Sequence, residues 1–356
     1  MQKILEKAAA HERISEQEAL KLFLEADMLE LGAVADARRR HLHPENRVSF
    51  VIDRNINYTN VCSSGCLFCA FYCKPENGDG YVLTKEELSL KIEETIALGG
   101  TQILLQGGMN PELGLDYYID LLSFIKKNFR IHIHGFSPPE VSWLASKSNF
   151  SVRTTIEKLI EAGLDSIPGG GAEILVDEIR KQVSPNKCTA SEWLGVMRDA
   201  HNLGLRTTAT MMFGHYEKPE HIIKHLAVLR ELQDETGGFT AFIPWTFQPG
   251  NTKMPRLPAT SAEYLKVLSL SRIFLDNFNG IQASWVTQGG KIAQTSLFFG
   301  ANDMGSTMIE ENVVAAAGVK FRLPMDEMIR IIKTAGFEAC QRDCHYNILR
   351  TFRDDA

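Results

Sequence analysis

Short apolar runs alternate with amphipathic stretches along most of this chain, and that alternation limits the folds open to it. The runs are 48–57, 101–106, 131–136, 164–168, 205–213, 239–245, 281–286 and 297–302. Between them lie helical patterns such as KEELSLKIEETIALG, YYIDLLSFIKKNF, TTIEKLIEAG and ASEWLGVMRDAHNLG. Several end in glycine just before the next run (Gly99, Gly163, Gly204), as a helix C-terminus favours. Strand followed by helix, repeated, implies parallel pairing with right-handed crossovers. Eight runs predict a (β/α)8 barrel of the TIM type; a partial (β/α)6 barrel is the alternative, because the last two runs are the weakest. Working residues then belong at strand C-terminal ends and in the loops that follow.

The organisation expected is an N-terminal helical extension (1–47), a barrel (48–320) and a C-terminal helical segment (321–356). Ser15 followed by Glu18 reads as a capping box in the extension. The chain has 356 residues, 44% hydrophobic and 23% charged, an ordinary folded composition. Its net charge of −6 argues against a nucleic-acid groove as the main function. No apolar run is long enough to span a bilayer, and the start lacks a secretion signal, so no membrane partner and a cytoplasmic location are expected.

There are seven cysteines, an odd number, and Cys62, Cys66, Cys69 and Cys73 crowd into CSSGCLFCAFYC. In a reducing compartment such crowding reads as metal ligation rather than disulfides. Thiolates suit zinc or iron–sulfur clusters. Structural zinc usually draws on two separated ligand pairs, whereas three thiols stand here on one short loop. Three thiolates on a 4Fe–4S cluster leave one iron open to a small molecule; four would close it, as in ferredoxins. The pair Cys340 and Cys344, with His345, lies on what reads as a helical segment. Together with isolated Cys188 it is expected to be structural.

The C-x3-C-x2-C spacing after the first strand, with Phe68 before the third cysteine, resembles the radical S-adenosylmethionine (SAM) superfamily. That resemblance implies a 4Fe–4S cluster on Cys62, Cys66 and Cys69, SAM chelated by the open iron, a 5′-deoxyadenosyl radical, and Phe68 near the adenine. It leaves Cys73 outside the motif. It further implies SAM contacts from Gly107 and Gly108 in QGGMNPE, where Met109 stands in place of the family's Glu and Gln106 contributes instead. Glu173 after the GGG run would meet the ribose, unless it only complements a helix N-terminus. Ser137 or His134 could wall the site, since alternation puts His132 and His134 on one side of a strand. Thr208, Thr210 and Met211 suit packing around an adenosine or an ordinary core.

The later strand ends mix aromatic and polar residues, as small-molecule pockets do. Ser284, Gln288, Asp303 and Glu310 are the polar candidates; Trp245, Phe247 and Trp285 could face a ring. With HGFSPPEV, SIPGGGAEIL, TTATMMFGH, FIPWTFQPGNT and GANDMGSTMIEENVVAAAG, these segments resemble the dehypoxanthine futalosine cyclase branch of menaquinone biosynthesis. Aminofutalosine synthase and the tyrosine-using subunit of F0 synthase are similar. A non-catalytic iron–sulfur or zinc protein is the reading from another class. The branch resemblance implies cyclisation of dehypoxanthine futalosine through loss of a sugar C4′ hydrogen and ring closure on the benzoate. It also implies an electron donor such as flavodoxin or ferredoxin. His215, Asp303 and Glu310 are the candidate bases, and Arg54 and Arg206 the candidate partners of the substrate carboxylate.

Overall fold

The computed structural model describes residues 1–353; residues 354–356, the end of the expected C-terminal segment, lie outside the described residues. The first apolar run splits at Ile52 into β1 (Arg47–Val51) and β2 (Asp53–Asn57). Then come β3 (Gln102–Gln106), β4 (His132–Gly135), β5 (Ser166–Ile167), β6 (Arg206–Phe213), β7 (Phe239–Thr246), β8 (Gly280–Ile281) and β9 (Asp303–Ser306). Strands β2 to β8 form a parallel sheet in sequence order. The sheet closes on itself. Gln282 bridges Asp303, and β9 pairs with β1 through Ser49↔Asp303 and Val51↔Ser306. The chain after β9 continues the ladder, with Thr307 donating to Val51 and Ile309 to Asp53. Counting β1 and β2 as one strand, eight parallel strands ring the lumen, so the barrel is full rather than partial.

Two expected strands differ. Run 281–286 is strand only at Gly280–Ile281, and Trp285 already opens the helix Trp285–Ser296. Run 297–302 is the exit of that helix; the strand is the next segment, Asp303–Ser306. Leu297, Phe299 and Ala301 are apolar because they are buried, not because they are extended. Sequence DMGS carries little β signal, yet all four residues are buried. Its position is set by the barrel edges it joins and by the Asp303–Arg342 ion pair, at 2.6 Å.

The three N-terminal helices, Gln2–Ala9, Glu16–Glu25 and Met28–Leu42, pack on the outside of the barrel. Ser15 and Glu18 do form the capping box, with the Ser15 N–H donating to Glu18 Oε2 at 2.7 Å. At the other end the helix Met325–Thr334 leads into a hairpin of β10 (Glu338–Arg342) and β11 (Ile348–Phe352). Strand β10 adds in parallel to β1. Cys340 therefore sits on a strand and Cys344 on the turn beyond it, not on a helix. This turn, 343–347, enters the floor of the barrel.

Candidate active site

Strand β2 delivers the chain to the cysteine loop at the C-terminal face. Tyr58, the first residue after β2, is buried and donates to Glu140 Oε1 at 2.6 Å. The loop then doubles back: Cys62 N–H donates to the Cys73 carbonyl and Cys73 N–H to that of Asn60. Neighbouring loops hold it from three sides. Ser63 bonds the Met109 carbonyl, Leu67 bonds that of Val183, and Lys253 N–H donates to Leu67.

The four thiols fall into two groups by what they face. Cys62 Sγ accepts from the Met109 N–H at 3.4 Å, and Cys66 Sγ lies 3.0 Å from the Ser64 hydroxyl. Cys69 faces the backbone N–H groups of Phe71 and Tyr72. Cys73 Sγ instead faces two acceptors, the carbonyls of Lys74 at 3.5 Å and Asn77 at 3.8 Å, and donates to them. Burial pushes the Cys66 and Cys69 thiols above their ordinary pKa, although Lys187 acts against this. The first three sulfurs thus lie beside N–H or O–H donors, and Cys66 and Cys69 are desolvated, which fits soft metal ligands whose sulfurs accept hydrogen bonds. Among the described residues no three His, Cys, Asp or Glu converge on a point as a single metal ion requires. A cluster asks for no such point, because it spreads its thiolates over separate irons.

After β3, Gly107 and Gly108 lie against this loop. A Cβ at Gly107 would come within 2.5 Å of the Tyr58 ring, and one at Gly108 would strike the Val61 carbonyl. The glycines thus let the two loops touch, a close approach only glycine permits. Glu140 ties the same region together, accepting from Gly107 N–H (3.1 Å), Ser137 N–H (2.7 Å) and Ser137 Oγ (2.6 Å). Ser137 caps the helix Pro138–Ser148 and is engaged there. Gln106 ends β3 on the lumen side and lies beside Gly170 of the glycine run.

Glu173 is buried with φ +42°, ahead of the helix Asp177–Val183 and outside its first turn. It does not complement that helix; Lys187 at 2.9 Å and Arg180 at 3.5 Å neutralise it. The Lys187 ammonium also lies 5.0 Å over the Phe68 ring. Phe68 packs against the cluster of Val183, Met212, Phe247 and Met254, as Trp245 does.

Below the cysteine loop the lumen holds a cavity of about 280 Å³. Alternate residues of the strands line it, among them Asn55, Gln106, His134, Thr208, Thr210 and Trp245, and it is roofed by Glu311 and floored by Arg342, Cys344 and Tyr346. Trp245 borders both this cavity and the apolar patch that holds Phe68.

Residues 56–229 match the "Radical SAM superfamily" and residues 236–354 the "CofH/MqnC C-terminal region". Cyclic dehypoxanthine futalosine synthase of Halalkalibacterium halodurans is 48% identical over 99% of this chain and 95% of its own length. The protein of that name from Streptomyces coelicolor is 44% identical over 100% and 90%. The chain belongs to the radical SAM superfamily. A third relative, 5-amino-6-(D-ribitylamino)uracil–L-tyrosine 4-hydroxyphenyl transferase of Methanococcoides burtonii, is 38% identical over 97% of this chain and 98% of its own. The hydrogenase maturase HydG of Carboxydothermus hydrogenoformans shares the fold at TM-score 0.76 and 18% identity, covering 97% of this chain and 80% of that one. Methylornithine synthase does so at 0.71 and 19%, covering 94% and 96%.

A radical SAM enzyme carries a 4Fe–4S cluster and SAM, and the donor set of Cys62, Cys66 and Cys69 suits the cluster. The candidate bases of this radical SAM enzyme are scattered. His215 is buried, with Nε2 on the Met212 carbonyl (3.0 Å) and Nδ1 accepting from Tyr216 N–H (2.8 Å). Burial lowers its pKa, and both nitrogens are occupied. Asp303 lies at the barrel floor, held by Arg342 through two bonds (2.6 and 2.9 Å) and by Ser49. Glu310 points outward to Lys91 (2.7 Å) and Arg54. Burial raises its pKa, but Lys91 and Asn312 outweigh that and leave it below normal.

Neither candidate carboxylate partner lines the lumen cavity. Arg54 turns away from the lumen to Glu94 and Glu310, because β2 alternates and Asp53 and Asn55 take the inside. Arg206 is exposed at the start of β6 and donates to the Gly237 carbonyl. Trp285 and Ser284 line the cavity, whereas Phe247 packs with Phe68 and Gln288 donates to Thr246 Oγ1. Sequence reasoning missed Lys187, Glu140, Glu311 and Arg342. Glu140 did carry a signal, the S-x-x-E capping box it forms with Ser137, and Glu311 is held by the nearby N–H groups of Val313, Val314 and Ala315. Lys187 and Arg342 stand in no such motif and are placed by Glu173 and Asp303.

Proposed function

We propose that the enzyme converts dehypoxanthine futalosine to its cyclic form, with loss of the sugar C4′ hydrogen, closure on the benzoate ring, and loss of a proton and an electron. The observation that carries this reading is near-half identity to two cyclic dehypoxanthine futalosine synthases over almost the full length of each. When bound on Cys62, Cys66 and Cys69, the cluster with SAM supplies a 5′-deoxyadenosyl radical. The chain's own part is positioning and exclusion of water. Phe68, Gln106, Gly107, Gly108, Ser137 and Glu173 surround the proposed SAM position. Trp245 separates that position from the cavity that would take the substrate, and the turn 343–347 shuts the cavity below. Of the residues lining the cavity, Arg342 is the sole Lys or Arg, and Asp303 already neutralises it. Neutral donors such as Asn55, Gln106 and Gln282 would therefore receive the substrate carboxylate. A flavodoxin or ferredoxin in the cytoplasm is the proposed electron donor. No helix among the described residues is long and apolar enough to cross a membrane.

The second reading is coupling of tyrosine to a ribitylaminouracil, favoured by the archaeal relatives at 38–41% identity. Anaerobic reconstitution decides between them. The cyclase reading expects 5′-deoxyadenosine and a product two hydrogens lighter than dehypoxanthine futalosine. Turnover with tyrosine and 5-amino-6-(D-ribitylamino)uracil alone would replace it with the transferase reading.

A further inference from the structure

Two histidines two residues apart on β4 open onto different spaces. His134 lines the lumen cavity. His132 lines a depression on the outer surface with Lys126, Arg130 and Asp165. One hydroxyl joins them: Ser166 Oγ, on the neighbouring strand β5, is 2.6 Å from His134 Nδ1 and 2.7 Å from His132 Nε2. Ser166 is fully buried, so no bulk water competes for these bonds. The Nε2 of His134 has no hydrogen-bond partner among the described residues.

The other titratable groups on the cavity wall are committed. Asp53 accepts from Gln102 and Ser306. Glu311 accepts the N–H groups of Val313, Val314 and Ala315. Arg342 is paired with Asp303, and burial keeps Cys344 and Tyr346 protonated. Among the described residues, only His134 offers the cavity a free basic nitrogen.

Resting on the cyclase reading, we infer that His134, Ser166 and His132 form a proton relay that carries the proton lost by the aromatic ring from the lumen to the outer surface. The ring C–H bond breaks and its proton bonds to His134 Nε2. The electron pair of that bond stays in the ring, and the one electron then in excess leaves to a one-electron acceptor of the iron–sulfur class. The proton on His134 Nδ1 passes to Ser166 Oγ, the hydroxyl proton to His132 Nε2, and the proton on His132 Nδ1 to solvent. Hydroxyl rotation and tautomer exchange of the imidazoles restore the chain.

The surroundings favour passage over storage. His134 faces Arg342, His132 and His345; His132 faces Asp165, His345, Lys126 and Asp343. Burial, then neighbouring positive charge, lowers His134 to about 3, and burial lowers His132 to about 4 despite Asp165. Both are neutral at working pH, free to accept and quick to release. His345 stacks edge-on against His132 at 5.2 Å, and Cys344 Sγ lies 3.4 Å from Ser166 Oγ.

The test follows the two halves of the reaction separately in reconstituted enzyme with dehypoxanthine futalosine. Ser166→Ala should release 5′-deoxyadenosine within about twofold of the parent, yet form cyclised product about tenfold or more slowly. A carbon-centred radical should accumulate in freeze-quenched electron paramagnetic resonance spectra, and raising the pH should relieve the defect. His132→Gln, at a half-buried position, should show the same signature more weakly, and Ser166→Thr should restore much of the rate. Parent-like product formation in Ser166→Ala and His132→Gln would overturn the relay. So would a parallel fall in 5′-deoxyadenosine, which marks a merely structural role. A parent enzyme that forms no cyclised product fails the cyclase reading instead, and is seen in the control.

Discussion

The two ends of the barrel are built on opposite principles. At the floor, charges meet partners from within the chain: Asp303 with Arg342, and Asp53 with Ser306 and Gln102. At the mouth, Cys62, Cys66 and Cys69 face donors, and Lys187, paired with Glu173, lies over the Phe68 ring. Buried polar groups are costly unless paired, so charges that are paired within the chain are finished by folding. A region that gathers desolvated thiols beside donors is finished by a ligand. That contrast separates structural from functional polar residues better than residue type does, since Asp303 and Glu310 look as catalytic in the sequence as any group at the mouth.

The largest effect should come from the mouth. Cys62→Ala, Cys66→Ala or Cys69→Ala is expected to abolish SAM cleavage and lower bound iron and sulfide, whereas Cys73→Ala keeps both. Cluster loss in Cys73→Ala would break the division between donor-facing and acceptor-facing thiols. At the floor, Arg342→Met leaves Asp303 buried without its cation and should cost about 3–5 kcal/mol in urea unfolding. An Asp303→Asn protein of parent stability that formed no product would return Asp303 to the candidate bases.

The third effect is a pH dependence. His134 is buried neutral, with its pKa lowered to about 3 from an unfolded value of 6.5. The unfolded chain therefore binds the proton first. Stability from this group is full above pH 6.5 and falls as pH drops toward 3, by about 1.4 kcal/mol per pH unit. His134→Asn should flatten the acid side of the stability profile by that slope; an unchanged slope would remove His134 from the buried neutral set. Smallest of all, Glu310→Gln breaks ion pairs outside the lumen. It should cost about 0.5–1 kcal/mol and leave turnover within about twofold. A severe loss of turnover at parent stability would put Glu310 back in the chemistry.

Much of the fold was legible because burial and period coincide in it. Strands β3, β4, β6 and β7 and the helices between them follow directly from apolar alternation and amphipathic spacing. Strand β9 did not, because DMGS owes its place to neighbours on both sides rather than to its own composition. The cysteine spacing was legible for the reason that one loop carries all three thiols. Arg54 went astray because the direction of a residue on a strand depends on which face the barrel encloses. Lys187 and Glu173 went unpaired in the sequence because each is defined by a contact between loops.

By itself the sequence determined the βα alternation, the C-x3-C-x2-C loop after the first strand and the two histidines on one side of the fourth. These are local periods and spacings, written within a few residues. Only the tertiary structure decided that the barrel closes, that Asp303 is a floor ion pair, that Cys73 faces carbonyls, and that a serine from the next strand links the two histidines. Each of those depends on groups brought together from distant positions, where the cost of leaving a buried polar group unpaired selects the partner.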